Sequence, residues 1–194
     1  HDAMEHRAAA AATGEELQTW LAQRPAHRPP PTLVDLGCGD LARMADLFRT
    51  LPLGAYTGLD LAASVLPLAA SAMGQAPFPC RWQQGDLLDW AERPNPSADG
   101  SAPERVDVIH SAFAIHHLSD SQKIQFLRGA RQRIEVDGLL LWVDVFQDED
   151  DSRETYLDRY IDRVRHWPAL DTQQIKAIVE HMHDCDWPAQ RGTI

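Results

Sequence analysis

The sequence predicts an α/β protein built on a doubly wound, mostly parallel sheet with helices on both faces. Two observations predict this fold: short apolar runs alternate with segments of helical periodicity, and a glycine-rich turn follows the first apolar run. Strands buried on both faces are nearly continuous apolar runs, and parallel strands need crossover connections that are usually helical. The chain has 194 residues, 44% of them hydrophobic, which is enough for one domain with a sizeable core.

The predicted elements follow one another in a regular order. An Ala-rich helix over residues 5–12 precedes a second helix that opens at the capping-box spacing Thr13-x-x-Glu16, and a proline-rich linker follows. Strands are predicted at residues 32–36, 55–59, 80–84, 106–110 and 139–146. Helices are predicted at residues 41–51, 64–73, 119–134, 151–165 and 172–183, and a loop at residues 93–103. We therefore expect an N-terminal helical segment and linker at residues 1–31 and a domain at residues 32–194, its C-terminal part incomplete.

Charge and composition restrict the partners and the compartment. The formal net charge is −11, which disfavours a nucleic-acid substrate because phosphate backbones attract basic surfaces. No apolar run approaches the roughly 20 residues that cross a bilayer, and no secretory signal is visible. The three cysteines form no C-x-x-C pair. We expect a cytoplasmic protein with a small-molecule partner and no membrane contact.

The glycine-rich turn is the most informative segment. Gly37 and Gly39, followed by Ala42, match the dinucleotide-binding spacing G-x-G-x-x-A, which by itself is compatible with NAD. Asp35 and Asp40 flank these glycines, and carboxylates repel a pyrophosphate but attract an ammonium or a sulfonium. The turn therefore favours S-adenosylmethionine over NAD as the cofactor.

Two further carboxylates follow the next two predicted strands. Asp60 ends the second strand, where an acidic side chain can accept hydrogen bonds from both ribose hydroxyls. Asp86 follows the third strand and can accept the adenine amine, with Leu87 packing on the ring. The carboxyl ends of parallel strands meet at the edge where such sheets bind ligands. The three strand-end carboxylates thus predict one cofactor site.

Four segments together resemble a known family: Val34-Asp-Leu-Gly-Cys-Gly39, Thr57-Gly-Leu-Asp60, Gly85-Asp-Leu87 and His116-His-Leu118. They resemble the class I S-adenosylmethionine-dependent methyltransferases, most closely the small-molecule group related to ubiquinone-biosynthesis methyltransferases. The resemblance covers residues 32–146 and implies a seven-stranded Rossmann-like sheet. It departs from the family at Leu41, where a third glycine is usual, and after the fifth strand, where two helices replace an antiparallel strand pair.

The resemblance also implies the cofactor-binding residues. Those near the methionine portion are Asp35, Gly37, Cys38 and Gly39. Those near the ribose and adenine are Asp60, Leu61, Asp86 and Leu87, and those on the other side of the cofactor are Ser111, Ala112 and Phe113.

Histidines are the candidates for acid–base chemistry. The loop after the fourth strand faces the transferred methyl group in the resembled family, so His116 or His117 is a candidate general base. Histidines at such positions are more often loop-packing residues than bases, and His110, inside the strand, is expected to be a core residue. Asp144 is a candidate substrate contact or a simple strand-end residue. The run from His181 to Asp186 is not expected to bind metal, because positions i and i+2 diverge on a helix.

These observations favour an enzyme that transfers a methyl group from S-adenosylmethionine to a small molecule by in-line displacement. Two alternatives stay open at this point. One is a non-catalytic S-adenosylmethionine-binding module that acts through a protein partner, and the other is an NAD-dependent oxidoreductase.

Overall fold

The computed structural model of the protein describes residues 6–92 and 105–190. The chain forms two compact units, which we describe separately. The sheet unit comprises residues 6–92, 105–112 and 124–143, and the helical unit comprises residues 113–123 and 144–190. The loop predicted at residues 93–103 lies outside the described residues.

A five-stranded parallel sheet forms the centre of the sheet unit. Its strands are β1 Thr32–Leu36, β2 Ala55–Asp60, β3 Cys80–Gln84, β4 Val106–Ala112 and β5 Ile134–Val143. The spatial order is β3-β2-β1-β4-β5, so the winding reverses between β1 and β4. Open sheets bind their ligands outside the carboxyl ends of the strands at such a reversal. The predicted α/β, doubly wound, mostly parallel fold is confirmed.

Helices cover this sheet. They are α1 His6–Gln23, α2 Ala45–Thr50, α3 Leu66–Met73, α4 Leu87–Glu92 and α5 Asp120–Arg133. The first four residues of α5 belong to the helical unit. One core contains Leu17 of α1, Phe48 of α2 and Met73 of α3, packed with Tyr56 and Val108 of the sheet. All five side chains are at most 1% exposed, so this core removes large apolar surfaces from water.

The N-terminal segment is one helix, and the prediction of a second helix opening at Thr13 was wrong. Thr13 and Gly14 lie inside α1 and are buried. A Cβ on Gly14 would lie 3.1 Å from Leu47 Cδ1, so the absent side chain lets α1 approach α2 closely. Packing on the sheet unit therefore overrides the local capping signal.

The fifth strand begins five residues earlier than predicted. β5 follows α5 without an intervening loop, and the pairing with β4 shifts register between Val106 and Val108. Gly138 lies in the irregular part, where a Cβ would meet Ile134 Cγ1 at 2.5 Å and Asp107 O at 2.8 Å. The glycine allows the close approach of the two strands.

The helical unit contains α6 Arg153–Arg165 and α7 Thr172–Cys185, a 3₁₀ turn at Ile115–His117, and two short strands, β6 Phe146–Gln147 and β7 Ala189–Gln190. Tyr156, Leu157 and Ile161 of α6 are buried with Met182 of α7 in a separate core. The N-cap Ser152 accepts a hydrogen bond from the backbone N–H of Thr155 and so begins α6.

The implied seven-stranded sheet does not form in the described part of the chain. It is replaced by five parallel strands and a separate two-residue pair, β6-β7, which is parallel and not antiparallel. None of the described helices is both long and apolar enough to cross a membrane.

Candidate functional site

The glycine turn connects β1 to α2 and is fixed by the neighbouring strand. The backbone N–H groups of Gly37 and Cys38 both donate to Leu59 O, at 2.8 and 3.0 Å. Gly37 and Gly39 have φ values of 73° and 55°, in the left-handed region that glycine adopts without steric cost. The glycines therefore allow the chain to turn back over the end of the sheet.

Asp60 links the end of β2 to this turn. Its Oδ2 accepts a hydrogen bond from the N–H of Gly39 at 2.9 Å, and its Oδ1 accepts one from the N–H of Ala62 at 2.9 Å. Each carboxylate oxygen has two lone pairs, so both retain acceptor capacity for a ligand. Asp60 thus positions the turn while its carboxylate stays available at the strand end.

Open space lies beside the turn. Apart from its chain neighbours, no described residue has an atom within 4 Å of a Cβ built on Gly39, and Leu61, directly after Asp60, is 68% exposed. The space and the carboxylate together fit a ligand with a polar and an apolar part.

Leu41 occupies the position where the resembled family has its third glycine. Its φ is 56°, an uncommon value for a residue with a side chain, and it is 3% exposed. The left-handed conformation costs roughly 1–2 kcal/mol for a non-glycine residue. Burial of the leucine side chain offsets this cost. Because of this turn, α2 begins at Ala45 and not at residue 41 as predicted.

Asp35 is buried beneath the turn. One carboxylate oxygen lies 2.7 Å from His110 Nδ1, and the other accepts the hydroxyl hydrogen of Tyr56 at 2.8 Å. All three side chains are at most 1% exposed, and burial together with the Asp35 carboxylate raises the pKa of Tyr56 well above its usual value. His110 is therefore a hydrogen-bonded core residue, as predicted.

Cys38 is buried between the turn and the sheet. Burial, and then the carboxylates of Asp35 and Asp60, raise the pKa of its thiol far above the usual value. A Cβ on Gly58 would lie 3.1 Å from Cys38 Sγ and 2.7 Å from Trp82 Cζ3. The thiol is thus a packing group, and Gly58 is required for its approach to β2.

Asp86 begins α4, a helix that the sequence analysis missed. Its Oδ1 accepts hydrogen bonds from the backbone N–H groups of Leu88 and Asp89, at 2.7 and 3.1 Å. The N–H of Gly85 donates to Asp60 O at 3.0 Å, so the ends of β2 and β3 are joined. Asp86 and Leu87 therefore lie at the same edge of the sheet as Asp60.

The end of β4 supplies the remaining predicted residues. Ser111 is fully buried, and its Oγ donates to Leu36 O at 2.8 Å, so its hydroxyl joins β4 to β1. Ala112 is the last residue of β4 and is partly exposed. Phe113 follows it in the chain with a φ of 54° and belongs to the helical unit.

In the helical unit, His116 is held by Asp144. The Nδ1–H of His116 donates to Asp144 Oδ1 at 2.5 Å, and the backbone N–H of His116 donates to Asp144 Oδ2 at 2.9 Å. The side chains are 7% and 0% exposed, respectively. This pairing fixes the tautomer, which leaves the lone pair on Nε2. Asp144 thus contacts the histidine that the sequence analysis identified as a candidate base.

A second carboxylate, Asp186, lies next to both adjacent histidines. Its Oδ1 is 3.6 Å from His116 Nε2 and 3.5 Å from His117 Nδ1. The His117 ring packs edge-to-face against the His181 ring, with ring centroids 5.2 Å apart, and the His117 side chain is 40% exposed. Burial, followed by the neighbouring His116, lowers the pKa of His117, and burial raises that of Asp186. We call His116, His117 and Asp186 the histidine–aspartate cluster.

The match to a protein-family model decides the classification. A model described as "Methyltransferase domain" matches residues 34–140, more than half of the chain, from β1 into β5. The chain belongs to this methyltransferase domain family. The finer assignment to a ubiquinone-related group is not part of what the match shows.

Solved structures share the fold of this methyltransferase domain. The plantazolicin methyltransferase BamL is 13% identical in sequence, with a TM-score of 0.63. The match covers 96% of this chain and 60% of the BamL chain. The YcgJ protein from Bacillus subtilis is 21% identical with a TM-score of 0.55, covering 81% of this chain and 58% of its own. CalS10, an amino pentose methyltransferase from Micromonospora echinaspora, is 20% identical with a TM-score of 0.51, covering 73% and 52%.

The methyltransferase domain therefore spans between half and two thirds of the length of these solved structures. The search of curated proteins found no match to the sequence.

The contact of Asp186 with the two histidines of this methyltransferase domain was not predicted from the sequence. Asp186 is 70 positions from His116 in the chain, so no local spacing indicates the contact. Tyr156 is buried in α6, and burial, with smaller contributions from Asp186 and Asp144 among others, raises its pKa. The run His181–Asp186 was the sequence signal for this cluster, but the histidines that Asp186 contacts lie in the segment after β4.

Proposed function

We propose that this methyltransferase domain binds S-adenosylmethionine at the carboxyl ends of β1, β2 and β3 and transfers its methyl group to a small molecule. The observation that carries the proposal is the position of Asp60, which holds the glycine turn at Gly39 and keeps carboxylate lone pairs beside open space. Membership of the methyltransferase domain family supports the same function.

The residues present fit this cofactor. Gly37 and Gly39 would accommodate the methionine portion, and Asp60 would accept hydrogen bonds from the ribose hydroxyls. Leu61, Asp86 and Leu87 lie at the next strand ends and supply apolar surface and an acceptor for adenine. Asp35 keeps its two hydrogen bonds to the protein, so we assign it to positioning the turn and to its negative field, not to direct contact.

The charge of the turn is the reason to prefer this cofactor to NAD. Asp35, Asp40 and Asp60 all lie within the glycine turn or against it, and carboxylates there would repel a pyrophosphate. S-adenosylmethionine carries an ammonium and a sulfonium, which the same carboxylates attract.

The chain's contribution to the reaction is mainly orientation. When bound, S-adenosylmethionine supplies an electrophilic methyl group on a positively charged sulfur. Orienting two reactants can account for roughly 7–11 kcal/mol of a barrier. A general base contributes roughly 10²–10⁴-fold if the acceptor must lose a proton. We assign this role to His116, whose Asp144 contact leaves Nε2 basic, or to His117, whose side chain is the more exposed.

We propose that the acceptor is a small molecule. The net charge of −11 disfavours nucleic acid. Among the structures with a similar fold, one is described as an amino pentose methyltransferase and one as the plantazolicin methyltransferase in complex with a triazolic analogue. Amino sugars and azole-containing compounds are therefore the first acceptors to test.

A transfer assay tests this function. The protein is incubated with S-[methyl-³H]adenosylmethionine and panels of amino sugars, azole-containing compounds, phenols and RNA, and the label is followed into products. We expect label in at least one small-molecule panel, loss of transfer in Asp60→Asn, and retained transfer in Asp40→Asn. Cofactor binding without label in any panel would favour the non-catalytic module, and label in RNA alone would contradict the small-molecule assignment.

The base assignment has its own readout in the same assay. Substituting the base, in His116→Gln or His117→Gln, should lower kcat by about 10²–10⁴-fold while S-adenosylhomocysteine binding is unchanged. Equal kcat in both variants and the parent would remove both histidines from the reaction.

A further inference from the structure

We propose that the histidine–aspartate cluster, His116, His117 and Asp186, binds a divalent transition-metal ion. One ring nitrogen of each histidine and one carboxylate oxygen of Asp186 lie within 4.8 Å of one another. Ligand atoms that each lie about 2.1 Å from one tetrahedral ion are roughly 3.4 Å apart. The measured separations of 3.6 and 3.5 Å between Asp186 Oδ1 and the two imidazoles match that spacing.

His116 is oriented as metal-binding histidines are. Its Nδ1–H donates to Asp144 at 2.5 Å, and its Nε2, which carries the lone pair, lies 3.6 Å from Asp186 Oδ1. Metal-ligating histidines almost always donate their other N–H to a carboxylate or a carbonyl, which fixes the ring and raises its basicity. Asp144 therefore has the position of an outer carboxylate that supports a ligand.

His117 can present a lone pair in either neutral tautomer. Its Nδ1 lies 3.3 Å from Cys185 O and 3.5 Å from Asp186 Oδ1. With the proton on Nδ1, that N–H donates to the Cys185 carbonyl and Nε2 carries the lone pair. With the proton on Nε2, the Nδ1 lone pair faces Asp186. Either tautomer leaves one nitrogen for an ion.

Asp186 supplies an independent indication of a missing ligand. It is 5% exposed, and its Oδ1 is buried and has no hydrogen-bond partner among the residues that the structure describes. A buried carboxylate oxygen without a partner is costly, so one that persists indicates an unrecorded ion or water. The buried Tyr156 Oη likewise has no hydrogen-bond partner in the described part of the chain, and burial, with a smaller contribution from Asp186, raises the pKa of that phenol.

The nearby cations do not neutralise this carboxylate. Lys123 Nζ donates to the carbonyls of Leu118 and Trp187, and Arg153 Nε donates to the backbone carbonyl of Asp186 at 2.7 Å. Within the described residues, the ion-pair contacts of the Asp186 carboxylate are the two imidazoles. A divalent cation would compensate the negative charge of the two buried carboxylates, Asp144 and Asp186.

The backbone around the cluster holds these ligands in place. Asp186 ends α7, where its N–H donates to Met182 O at 3.1 Å, and the N–H of Trp187 donates to His116 O at 2.7 Å. The guanidinium of Arg153 lies 4.0 Å from the Trp187 ring centroid. A main-chain hydrogen bond thus joins the 3₁₀ turn at Ile115–His117 to the end of α7, and this contact does not depend on the ion.

The donor set selects the class of metal. Two imidazoles and one carboxylate suit Zn²⁺, Fe²⁺, Co²⁺ or Ni²⁺, whereas Mg²⁺ and Ca²⁺ prefer oxygen ligands. Three protein ligands leave at least one coordination position for water or another molecule.

This site goes beyond the proposed methyl transfer, because it is assigned from metal-ligand chemistry alone. An ion bound there would occupy the lone pair that a base requires, so the metal-free protein is the form in which either histidine accepts a proton.

Metal titration of the untagged protein tests the proposal. The protein, stripped with a chelator, is titrated with ZnCl₂ in a calorimeter and with CoCl₂ in a spectrophotometer. We expect one saturable Zn²⁺ site, visible d–d absorption of bound Co²⁺, and a higher Tm with Zn²⁺, because an ion that binds only the folded state stabilises it. S-adenosylhomocysteine binding, measured on the same samples, reports separately on the proposed function.

Paired variants decide whether the ion binds at this cluster. Asp186→Asn and His117→Gln should abolish the site, and Asp144→Asn should weaken it by about 10–100-fold, as an outer carboxylate does. Asp184→Asn and His166→Gln, which change exposed residues of the same types, should bind like the parent. Far-ultraviolet circular dichroism confirms that each variant is folded. The absence of saturable binding in the parent, or equal affinity in Asp186→Asn and Asp184→Asn, would overturn the proposal.

Discussion

At the scale of single residues, Asp60 does two things with one carboxylate. It accepts a hydrogen bond from the Gly39 N–H, and it terminates β2 at the edge where the ligand is proposed to bind. The glycine spacing alone is compatible with NAD and with S-adenosylmethionine. The carboxylates around it distinguish the two cofactors, so Asp60 is the residue whose substitution is the most informative.

Substituting Asp60 should weaken cofactor binding more than it lowers the free energy of unfolding. Asp60→Asn removes a charged acceptor, and hydrogen bonds to charged groups contribute roughly 1.5–3 kcal/mol. We expect S-adenosylhomocysteine to bind about 10–150-fold more weakly, as measured by calorimetry. Asp40→Asn removes the same charge from an exposed position of the turn and should change the affinity several-fold at most. Equal losses in both variants would show that net charge, and not the position of Asp60, determines binding.

The left-handed backbone conformation of Leu41 should reverse the usual order of stability of an alanine and a glycine variant. Leu41→Ala and Leu41→Gly both remove a buried side chain, at a cost of about 2–5 kcal/mol. At ordinary positions glycine is less stable than alanine by roughly 0.5–1 kcal/mol. At a φ of 56° alanine keeps the strain and glycine does not, so Leu41→Gly should be the more stable variant. Urea unfolding compares the two, and a more stable Leu41→Ala would show that Leu41 is not in the left-handed region.

At the scale of elements, two helical glycines differ in what surrounds them. A Cβ on Gly129 of α5 would lie 2.3 Å from the Ala91 carbonyl oxygen, which is backbone of α4. A Cβ on Gly14 of α1 would lie 3.1 Å from Leu47 Cδ1, the end of a flexible side chain. Helices therefore approach each other closely at both positions, but only one contact can adjust by a side-chain movement.

These two positions should respond oppositely to alanine. Alanine in a helix is favoured over glycine by roughly 0.8–1 kcal/mol. Gly14→Ala should gain most of this, whereas Gly129→Ala should destabilise by about 1–3 kcal/mol because the α4 backbone must move. Thermal and urea unfolding of the two variants measure the difference. Stabilisation by Gly129→Ala would contradict the close packing of α4 and α5.

Elements could be predicted where the residues that determine them are close together in the sequence. β1 and β3 have the predicted bounds, because an apolar run and a short β-rich run are each delimited by proline or glycine. The α4 helix was missed because it has six residues and depends on the cap from Asp86. The Thr13 capping box was misleading because Thr13 and Gly14 are buried in the middle of α1. Local signals fail where packing between elements decides.

At the scale of the whole molecule, the two candidate sites were predictable to different degrees. Asp60 and Asp86 could be assigned to one edge because parallel strands bring their carboxyl ends together, whatever the side chains are. The pairing of His116 with Asp144 follows the same rule in part, since both residues come just after neighbouring strands. Asp186 could not be predicted, because its place next to His116 depends on how α6 and α7 pack in the helical unit.

Cofactor binding is the central claim, and a titration with two ligands tests it most directly. The protein is titrated in a calorimeter with S-adenosylhomocysteine and, separately, with NADH, each up to millimolar concentration. Carboxylates around the glycine turn should attract the first ligand and repel the pyrophosphate of the second. We predict saturable one-to-one binding of S-adenosylhomocysteine and no saturable binding of NADH. Saturable binding of NADH without binding of S-adenosylhomocysteine would contradict the account.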